Sequence, residues 1–245
     1  MSSIPRIFIP SDSLSGETAY ITGSDALHIT KVLRLRTGDK ITVCDMKNTE
    51  YTAEIISADK NGVTVSLGEG VPTDTEMPFT VTVYQGVTKG DKFETVVQKS
   101  VELGAAVIVP VLCERCVSRP DSASARSKTE RYNKIASSAA SQCGRGIMPE
   151  VRTQISFMRA LEELKNSELS FLCYEGDGTV PIRELIENKQ PKNISFLIGP
   201  EGGFSNAEIE AASEMGISLC GLGKRILRTE TAALFVLSAI SVICE

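Results

Sequence analysis

Two stretches in the second half of the chain are apolar without the alternation that marks a half-exposed strand. They read LSFLCYE at residues 169–175 and ISFLIGP at residues 194–200. Such runs are typical of central strands that are covered on both faces, as in the parallel sheets of α/β proteins. Helical patterns alternate with strand patterns from residue 79 onward, so the sequence predicts an α/β domain with a mostly parallel sheet.

The elements of this domain can be placed along the chain, with a loop of small residues at 122–127. Gly104 is expected to end the first helix, which exposes Lys92 and Lys99. In open α/β sheets, ligands bind beyond the carboxyl ends of the strands, which here are residues 174–176 and 199–203. Besides the two apolar runs, the predicted strands are 79–87 and 105–112, and the predicted helices are 91–103, 128–142, 206–214 and 232–243.

Residues 1–72 have a different pattern, with short strands separated by turn formers such as Asn61-Gly62. We predict a small β-barrel or sandwich domain here, with one short helix at 24–33 capped by Ser24 or Asp25. The polar, proline-flanked segment 72–78 separates it from the α/β domain at 78–245. The predicted strands carry the sequences RIFIP, KITVCD, YTAEIIS and GVTVSLG.

Composition excludes several classes of protein. No run approaches the ~18 apolar residues of a membrane span, and the first ten residues show no export signal, so we expect a cytoplasmic protein. Seven cysteines, an odd number, indicate reduced thiols that serve in packing. Cys113 and Cys116 form a lone CxxC, and His28 is the single histidine, so we predict no metal site.

The distribution of charge is more informative than the net charge of −5. Residues 76–153 hold 11 Lys and Arg against 8 Asp and Glu, while the flanking segments are acidic. A second cationic cluster contains Lys31, Arg34, Arg36 and Lys40. Charge alone leaves two interpretations open, which are an ordinary solvated surface and contacts with nucleic-acid phosphates.

The loop Gly199-Pro200-Glu201-Gly202-Gly203 fits neither the P-loop nor the dinucleotide-binding pattern, and Glu201 would repel a phosphate. It is either a tight connection or a site for a ligand with hydroxyls, an amino group or a positive centre. Ser205 and Glu208 form a capping box for the next helix, and Phe204 with Ile209 forms a hydrophobic staple. The loop is therefore expected to be rigid.

A second unusual stretch, GLGKRILRTETAALFVLSAI at residues 221–240, places cations before a helix that is apolar on nearly every face. Such a helix is buried in a core or in a subunit interface. Arg225 and Arg228 either form ion pairs with Glu230 or Glu201, or hold a substrate phosphate or polarise a base.

Five motifs together resemble the ribosomal RNA uridine-N3 methyltransferases of the SPOUT superfamily, the RsmE type. They are HITKVLRLRTGDKITVCD (28–45), DKFETVVQKSVELGAAVIVPVLCERCVSR (91–119), RYNKIASSAASQCGRGIMPEV (131–151), LIGPEGGFSNAEI (197–209) and LGKRILRTETAAL (222–234). The resemblance covers nearly the whole chain, with Tyr132 where a tryptophan is common. It implies an N-terminal PUA-like RNA-binding barrel, and a SPOUT domain with a deep C-terminal trefoil knot.

In this family the knot forms the pocket for S-adenosyl-L-methionine (SAM), and its members are homodimers. The knot loops correspond here to residues 172–176, 198–203 and 222–227. The resemblance thus assigns SAM binding to Leu172, Tyr174, Glu175, Ile198, Gly199, Pro200, Glu201, Gly203, Leu222, Gly223, Ile226, Leu227 and Thr231.

The implied reaction is methylation of uracil N3 in 16S ribosomal RNA, which requires no cysteine adduct, unlike methylation at a pyrimidine carbon. As a hypothesis, Arg228 or Arg225 stabilises negative charge on the uracil; the role of Glu201, loop anchor or ligand contact, stays open. The expected substrate is 16S rRNA in the small ribosomal subunit. The residues expected to contact RNA are Arg6, His28, Lys31, Arg34, Arg36, Lys92, Arg115 and Arg119.

Two other functions remain open from the sequence. One is a different SPOUT activity, such as ribose 2′-O-methylation of tRNA or rRNA, and the other is a non-catalytic RNA-binding assembly factor. The PUA-like N-terminal domain and the RILRTETA stretch argue against a ribose methyltransferase. The intact glycine-rich motifs argue against a non-catalytic factor.

Overall fold

The structure, a computed structural model, describes residues 4–244, and the chain divides into two units. The N-terminal unit contains residues up to Glu76 together with Ala140–Met148, and the C-terminal unit contains Met77–Ala139 and the residues from Pro149 onward. Within residues 4–244, no helix has both the length and the apolar character needed to cross a bilayer.

The N-terminal unit is built on a six-stranded sheet in the order β1-β4-β5-β6-β3-β2, where β1 and β4 are parallel and the other pairs antiparallel. Alternate residues of the long strands, such as Ile41, Ile55 and Val65, are fully buried and form its core. The strands are β1 (Arg6–Phe8), β2 (Leu14–Ser15), β3 (Thr18–Ile21), β4 (Lys40–Cys44), β5 (Thr49–Ala58) and β6 (Val63–Pro72).

The short helix of this unit differs from its prediction. Helix α1 spans Gly23–Leu27, and the chain continues in a wider π-helical turn over His28–Val32. Thr22, and neither Ser24 nor Asp25, occupies the N-cap position, and it makes no side-chain capping bond. The predicted cap was therefore wrong by two to three residues, because the helix starts at Gly23.

A buried ion pair lies in the N-terminal unit. The Glu76 carboxylate accepts hydrogen bonds from Arg145 Nε at 2.9 Å and Nη2 at 2.7 Å, and from the amides of Gly146 and Ile147. The two side chains are 12% and 4% exposed. Burial opposes ionisation of Glu76, but the Arg145 hydrogen bonds and charge with the two amides hold its pKa below the ordinary value.

The C-terminal unit contains a sheet in which every strand pair is parallel, in the order β10-β8-β7-β13-β11-β14-β12, with β9 beside β8. Its strands are β7 (Thr80–Gly86), β8 (Val107–Leu112), β9 (Glu150–Val151), β10 (Ile155–Ser156), β11 (Leu169–Cys173), β12 (Val180–Pro181), β13 (Asn193–Ile198) and β14 (Ser218–Gly221). The mixed α/β class predicted from the sequence is thus confirmed.

The two apolar runs are β11 and β13, at the centre of this sheet. Leu172 and Leu197 pack into the core on one face, while Phe171 and Phe196 stack with ring centroids 5.8 Å apart. All four side chains are fully buried, because helices and loops cover both faces. The helices are α2 (Lys92–Glu102), α3 (Ser122–Cys143), α4 (Phe157–Leu164), α5 (Ile182–Ile186), α6 (Asn206–Glu214) and α7 (Thr229–Cys244).

The loop predicted at residues 122–127 is wrong, because α3 already begins at Ser122. The Asp121 carboxylate accepts a hydrogen bond from the amide of Ser124 at 2.8 Å, and the Asp121 carbonyl accepts one from Ala125. Asp121 therefore caps the helix, and this cap stabilises first turns that consist of small residues without a clear helical pattern.

The buried ion pair leads to a stability prediction. Replacing Glu76 by Gln should lower the free energy of unfolding by about 3 kcal/mol, because Arg145 would remain buried without its counter-charge. The exposed Arg159–Glu162 pair is the control, and Glu162→Gln should cost less than about 1 kcal/mol. Urea denaturation at pH 7 measures both, and equal losses would contradict the prediction.

The same pair gives a pH dependence. The pKa of Glu76 is lower in the folded chain than the ordinary value of 4.5. The ionised carboxylate therefore makes its full contribution to folding stability above pH 4.5. This contribution declines as the pH falls through the folded-state pKa. The difference in stability between the natural chain and Glu76→Gln should therefore narrow under acid.

Candidate active site

A cavity of about 430 Å³ lies at the carboxyl ends of β11, β13 and β14 and at the start of α7. This is the edge at which open α/β sheets bind ligands, and the volume is within the ~300–1,000 Å³ range of small-molecule sites. Its walls are formed by the glycine-rich loop 199–203, the segment 221–228 and the strand end at Cys173–Glu175.

The structure brings most of the predicted cofactor residues to this cavity, together with Arg225 and Arg228. Leu172 does not line it, because its side chain points into the core and is fully buried. Thr231 is exposed on α7 and does not line it either. The predicted residues that do line it are Tyr174, Glu175, Ile198, Gly199, Pro200, Glu201, Gly203, Leu222, Gly223, Ile226 and Leu227.

Several lining residues were missed by sequence reasoning. Thr229 and Glu230 lie in the Thr-Glu-Thr stretch, whose polar residues before an apolar helix were a usable signal. Lys92, which was predicted as an RNA contact, also lines the cavity, which it reaches from α2; no local pattern indicates this position. The other missed lining residues are Cys173, Thr179, Phe204, Gly221 and Ala232.

The capping box predicted after the glycine-rich loop is present. Ser205 Oγ accepts a hydrogen bond from the Glu208 amide at 3.3 Å, and Glu208 Oε2 accepts one from the Ser205 amide at 2.9 Å. The second oxygen, Oε1, accepts the amide of Glu114 at 2.8 Å. The helix end of the loop is thus fixed both to its own helix and to the turn after β8.

That turn contains the CxxC pair, whose two side chains are buried in the core. The Cys113 amide donates a hydrogen bond to Cys116 Sγ at 3.3 Å, and the contact between the two side chains lowers the pKa of Cys116. Between them, Arg115 donates to the carbonyl of Gly202 at 3.2 Å. The pair therefore supports the turn that braces the glycine-rich loop.

Glu201 is engaged with α2 and the turn before it. Its carboxylate accepts hydrogen bonds from Lys92 Nζ at 3.0 Å and from the Lys89 amide at 3.1 Å. Partial burial would raise the pKa of Glu201, but its own amide, Lys92 and the Lys89 amide outweigh that effect and lower the pKa. The alternative in which Glu201 pairs with Arg225 or Arg228 is absent from the described structure.

A chain of hydrogen bonds joins the end of β7, the glycine-rich loop and the start of α7. Gln85 Nε2 donates to Thr229 Oγ1 at 2.8 Å, and Thr229 Oγ1 donates to the Gly199 carbonyl at 2.6 Å. Gln85 is fully buried and Thr229 is 7% exposed. Since hydrogen bonds in such a chain polarise one another away from water, the junction fixes the start of α7 against the loop.

Two glycines are required by the backbone around the cavity. A Cβ on Gly86 would lie 2.4 Å from the Pro200 nitrogen, so β7 can approach the loop only without a side chain. Gly203 has φ of +66°, in the left-handed region that other residues rarely adopt. The glycines therefore shape the cavity wall.

The predicted RNA contacts divide into two groups. His28, Lys31, Arg34 and Arg36 are exposed on the N-terminal unit.

The other four make contacts within the protein. Arg6 is 14% exposed and ion-paired with Glu50. Arg119 donates to the carbonyls of Cys113 and Glu114, while Arg115 and Lys92 contact the glycine-rich loop as described above. Arg115 and Arg119 remain exposed, so a phosphate could share their guanidinium groups.

Comparison with known proteins defines the class. The family model for the RNA methyltransferase domain matches residues 75–241, and the model for the RNA methyltransferase PUA domain matches residues 21–68. Together with the parallel sheet and the cavity at its carboxyl edge, these matches place the chain among RNA methyltransferases with a PUA domain.

Individual relatives define the family within this class. Ribosomal RNA small subunit methyltransferase E of Bacillus subtilis (strain 168) is 39% identical over 229 residues, which cover 91% of this chain and 90% of that protein. The chain belongs to the ribosomal RNA small subunit methyltransferase E family.

Two solved structures share the fold over the same extent. Ribosomal RNA small subunit methyltransferase E of Neisseria gonorrhoeae, bound to S-adenosyl methionine, is 32% identical with a TM-score of 0.87. A methyltransferase of Legionella pneumophila in complex with the cofactor SAM is also 32% identical, with a TM-score of 0.89. Each alignment covers 98% of this chain and 97% of the other.

The hydrogen-bonded junction leads to a prediction. Thr229→Val keeps the side-chain shape but removes the two short bonds of the threonine hydroxyl, and Gln85 Nε2 keeps only its contacts with the Gly86 carbonyl at 3.2 Å and the Gly199 carbonyl at 3.5 Å. We therefore expect a loss of about 1–3 kcal/mol in unfolding free energy. Thr231→Val, two residues along the same helix at an exposed position, should change it by less than about 0.5 kcal/mol. Chemical denaturation of both variants measures the difference, and a Thr229→Val variant as stable as Thr231→Val would contradict it.

Proposed function

We propose that this chain transfers a methyl group from SAM to N3 of a uridine in 16S ribosomal RNA. The observation that carries the proposal is the cavity itself: the glycine-rich loop and the RILRTE segment both line it, and the RILRTE segment presents two arginines to it. The family membership and the SAM-bound relatives agree with this proposal.

The residues around the cavity fit SAM. Three carboxylates, of Glu175, Glu201 and Glu230, line it and suit a ligand with a sulfonium and an amino group. When bound, SAM supplies a methyl group on a positively charged sulfur.

Arg225 and Arg228 are the groups that can bind the base. Both are exposed, line the cavity and make no ion pair within residues 4–244. Neutral N3 of uracil carries a proton and is a poor nucleophile, so the reaction needs its negatively charged form. A guanidinium that donates to a uracil carbonyl oxygen stabilises that charge. Since N3 lies on the Watson–Crick edge, the target base must be unpaired or flipped out.

The finer organisation is also part of the proposal. Residues 1–72 act as the RNA-binding domain and residues 78–245 as the methyltransferase domain. The C-terminal segment forms the trefoil knot, which the family membership of the chain supports. The enzyme acts in the cytoplasm on the small ribosomal subunit.

A homodimer is supported by the apolar surface of α7. Phe235, Val242 and Ile243 are 41%, 85% and 37% exposed on this helix. Exposed apolar patches of this kind are typical of protein interfaces.

One experiment tests the function directly. Purified protein is given labelled SAM with small ribosomal subunits and, separately, with naked 16S rRNA, and the methylated nucleoside is identified by mass spectrometry. We expect N3-methyluridine, formed at a higher rate on the subunit. Methyl on the ribose would indicate the other SPOUT activity, and no transfer would indicate a non-catalytic RNA-binding factor.

Arg228 provides a more specific prediction. Arg228→Lys keeps the charge but loses the planar pair of donors, so we expect kcat to fall about 10- to 100-fold with little change in SAM affinity. Arg183→Lys, at an exposed position outside the cavity, should retain full activity. Full activity of Arg228→Lys would refute the role of the guanidinium.

The exposed cations of the N-terminal unit provide a prediction about affinity. Removing one phosphate contact with Lys31→Gln or Arg36→Gln should weaken RNA binding and reduce the slope of log K against log salt by about 0.7. Lys60→Gln, an exposed lysine of the same unit outside the cluster, should leave the slope unchanged. Fluorescence anisotropy at several salt concentrations measures the slopes, and a flat salt response of the natural chain would count against phosphate contacts here.

A further inference from the structure

We infer that Glu230 accepts the N3 proton of the target uracil. The inference rests on the proposed function, because a proton acceptor is needed only if N3 is the methylated atom. It concerns the step that the arginines leave open: they can stabilise the uracil anion but, being positively charged throughout, they cannot take its proton.

Three carboxylates line the cavity, and their surroundings differ. Glu201 accepts hydrogen bonds from Lys92 and from the Lys89 amide, and these contacts favour its charged form over its protonated form. Glu175 is exposed to solvent at the end of β11. Neither carboxylate combines a buried position with a free acceptor atom.

Glu230 is half-buried and has such an atom. Its Oε2 is buried and makes no hydrogen bond in the described part of the chain. Buried oxygens of proteins almost always have a donor, and an exception needs an explanation. A substrate N–H explains it, because this oxygen then acquires its donor when the base enters the cavity, and the donated proton is the one that must leave N3.

The position of Glu230 is fixed by its neighbour. Thr229 is bonded to Gln85 at 2.8 Å and to the Gly199 carbonyl at 2.6 Å, so the first turn of α7 cannot shift without breaking both bonds. Glu230 lies in that turn. Rigid placement of this kind is what a proton acceptor requires, because transfer depends on hydrogen-bond distance and direction.

Arg228 lines the same cavity two residues before Glu230. One short segment therefore supplies both a cation for the carbonyl oxygen and a carboxylate for the adjacent N–H. The N3 and the carbonyl oxygens are neighbours on one edge of uracil, so the two side chains address adjacent atoms of the same base.

Proton transfer and methyl transfer together conserve atoms and charge. The N3–H bond breaks, its proton goes to the Glu230 carboxylate, and its electron pair stays on the base. N3 forms a bond to the methyl carbon while the carbon–sulfur bond breaks, and that electron pair remains on sulfur. The products are N3-methyluracil, a neutral thioether and protonated Glu230, which returns its proton to water. No oxidant or reductant is required.

The test compares Glu230→Gln with the natural chain in single-turnover reactions at saturating SAM and RNA. The substitution keeps the size of the side chain and removes its ability to take a proton. We expect the rate to fall about 10²- to 10⁴-fold, the usual contribution of a general base, with SAM affinity by calorimetry changed less than threefold. Glu210→Gln, at an exposed position on α6 away from the cavity, is the matched control and should retain full rate.

Two further measurements separate proton transfer from a structural role. The rate of Glu230→Gln should rise about tenfold per pH unit, because the base must then lose its proton to solvent, whereas the natural chain should reach a plateau. RNA with 5-fluorouridine at the target has a more acidic N3, so it should restore the variant more than it accelerates the natural chain. A loss that is merely structural would respond to neither.

Other results would overturn the inference. If Glu230→Gln lowers SAM affinity tenfold or more and regains the natural rate at saturating SAM, Glu230 binds the cofactor and takes no proton. An unchanged pH profile or the absence of rescue by 5-fluorouridine would also refute it. If product mapping shows that the natural chain methylates ribose, the proposed function itself has failed. If the natural chain forms N3-methyluridine and Glu230→Gln is fully active, the inference alone has failed.

Discussion

The candidate site depends on the hydrogen-bonded junction of Gln85, Thr229 and Gly199. It joins the end of β7, the glycine-rich loop and the start of α7, three segments that are distant in the chain. Gln85 is fully buried and Thr229 is 7% exposed, and the Thr229 hydroxyl would lose both partners if the start of α7 moved. Because an unpartnered buried polar group costs about 1–3 kcal/mol, the junction holds the two walls of the cavity at a fixed separation.

The charges around the cavity are arranged for different tasks. Glu201 is paired with Lys92, and this ion pair holds the loop against α2. Arg225 and Arg228 have no counter-ion in the described structure and are free to contact a ligand. Glu230 has a buried oxygen without a donor. Local contacts therefore separate carboxylates that looked equivalent in the sequence into an anchor and a candidate proton acceptor.

Local sequence signals predicted what depends on neighbouring residues. The Ser205–Glu208 capping box and the non-alternating strands β11 and β13 are present as predicted, because capping and two-sided burial leave their mark within a few residues. Local patterns were less informative where a contact with a distant or flanking residue determines the structure. The side chain of Leu172, which was assigned to the cofactor site from its place in a motif, lies in the core, and that assignment stays a prediction. The start of α3 was missed because a single Asp121 cap outweighs weak helix formers.

The sequence by itself determined the α/β class, the apolar central strands, the braced glycine-rich loop and, through five motifs, the family. The tertiary structure alone decided which side chains share the cavity. Lys92 reaches it from α2, and Thr229 and Glu230 reach it from the start of α7, since parallel strands gather their carboxyl ends at one edge whatever their separation in the chain. It also decided which charges are already paired, because the partner of a charged group is fixed by distance in space, and sequence records only distance along the chain.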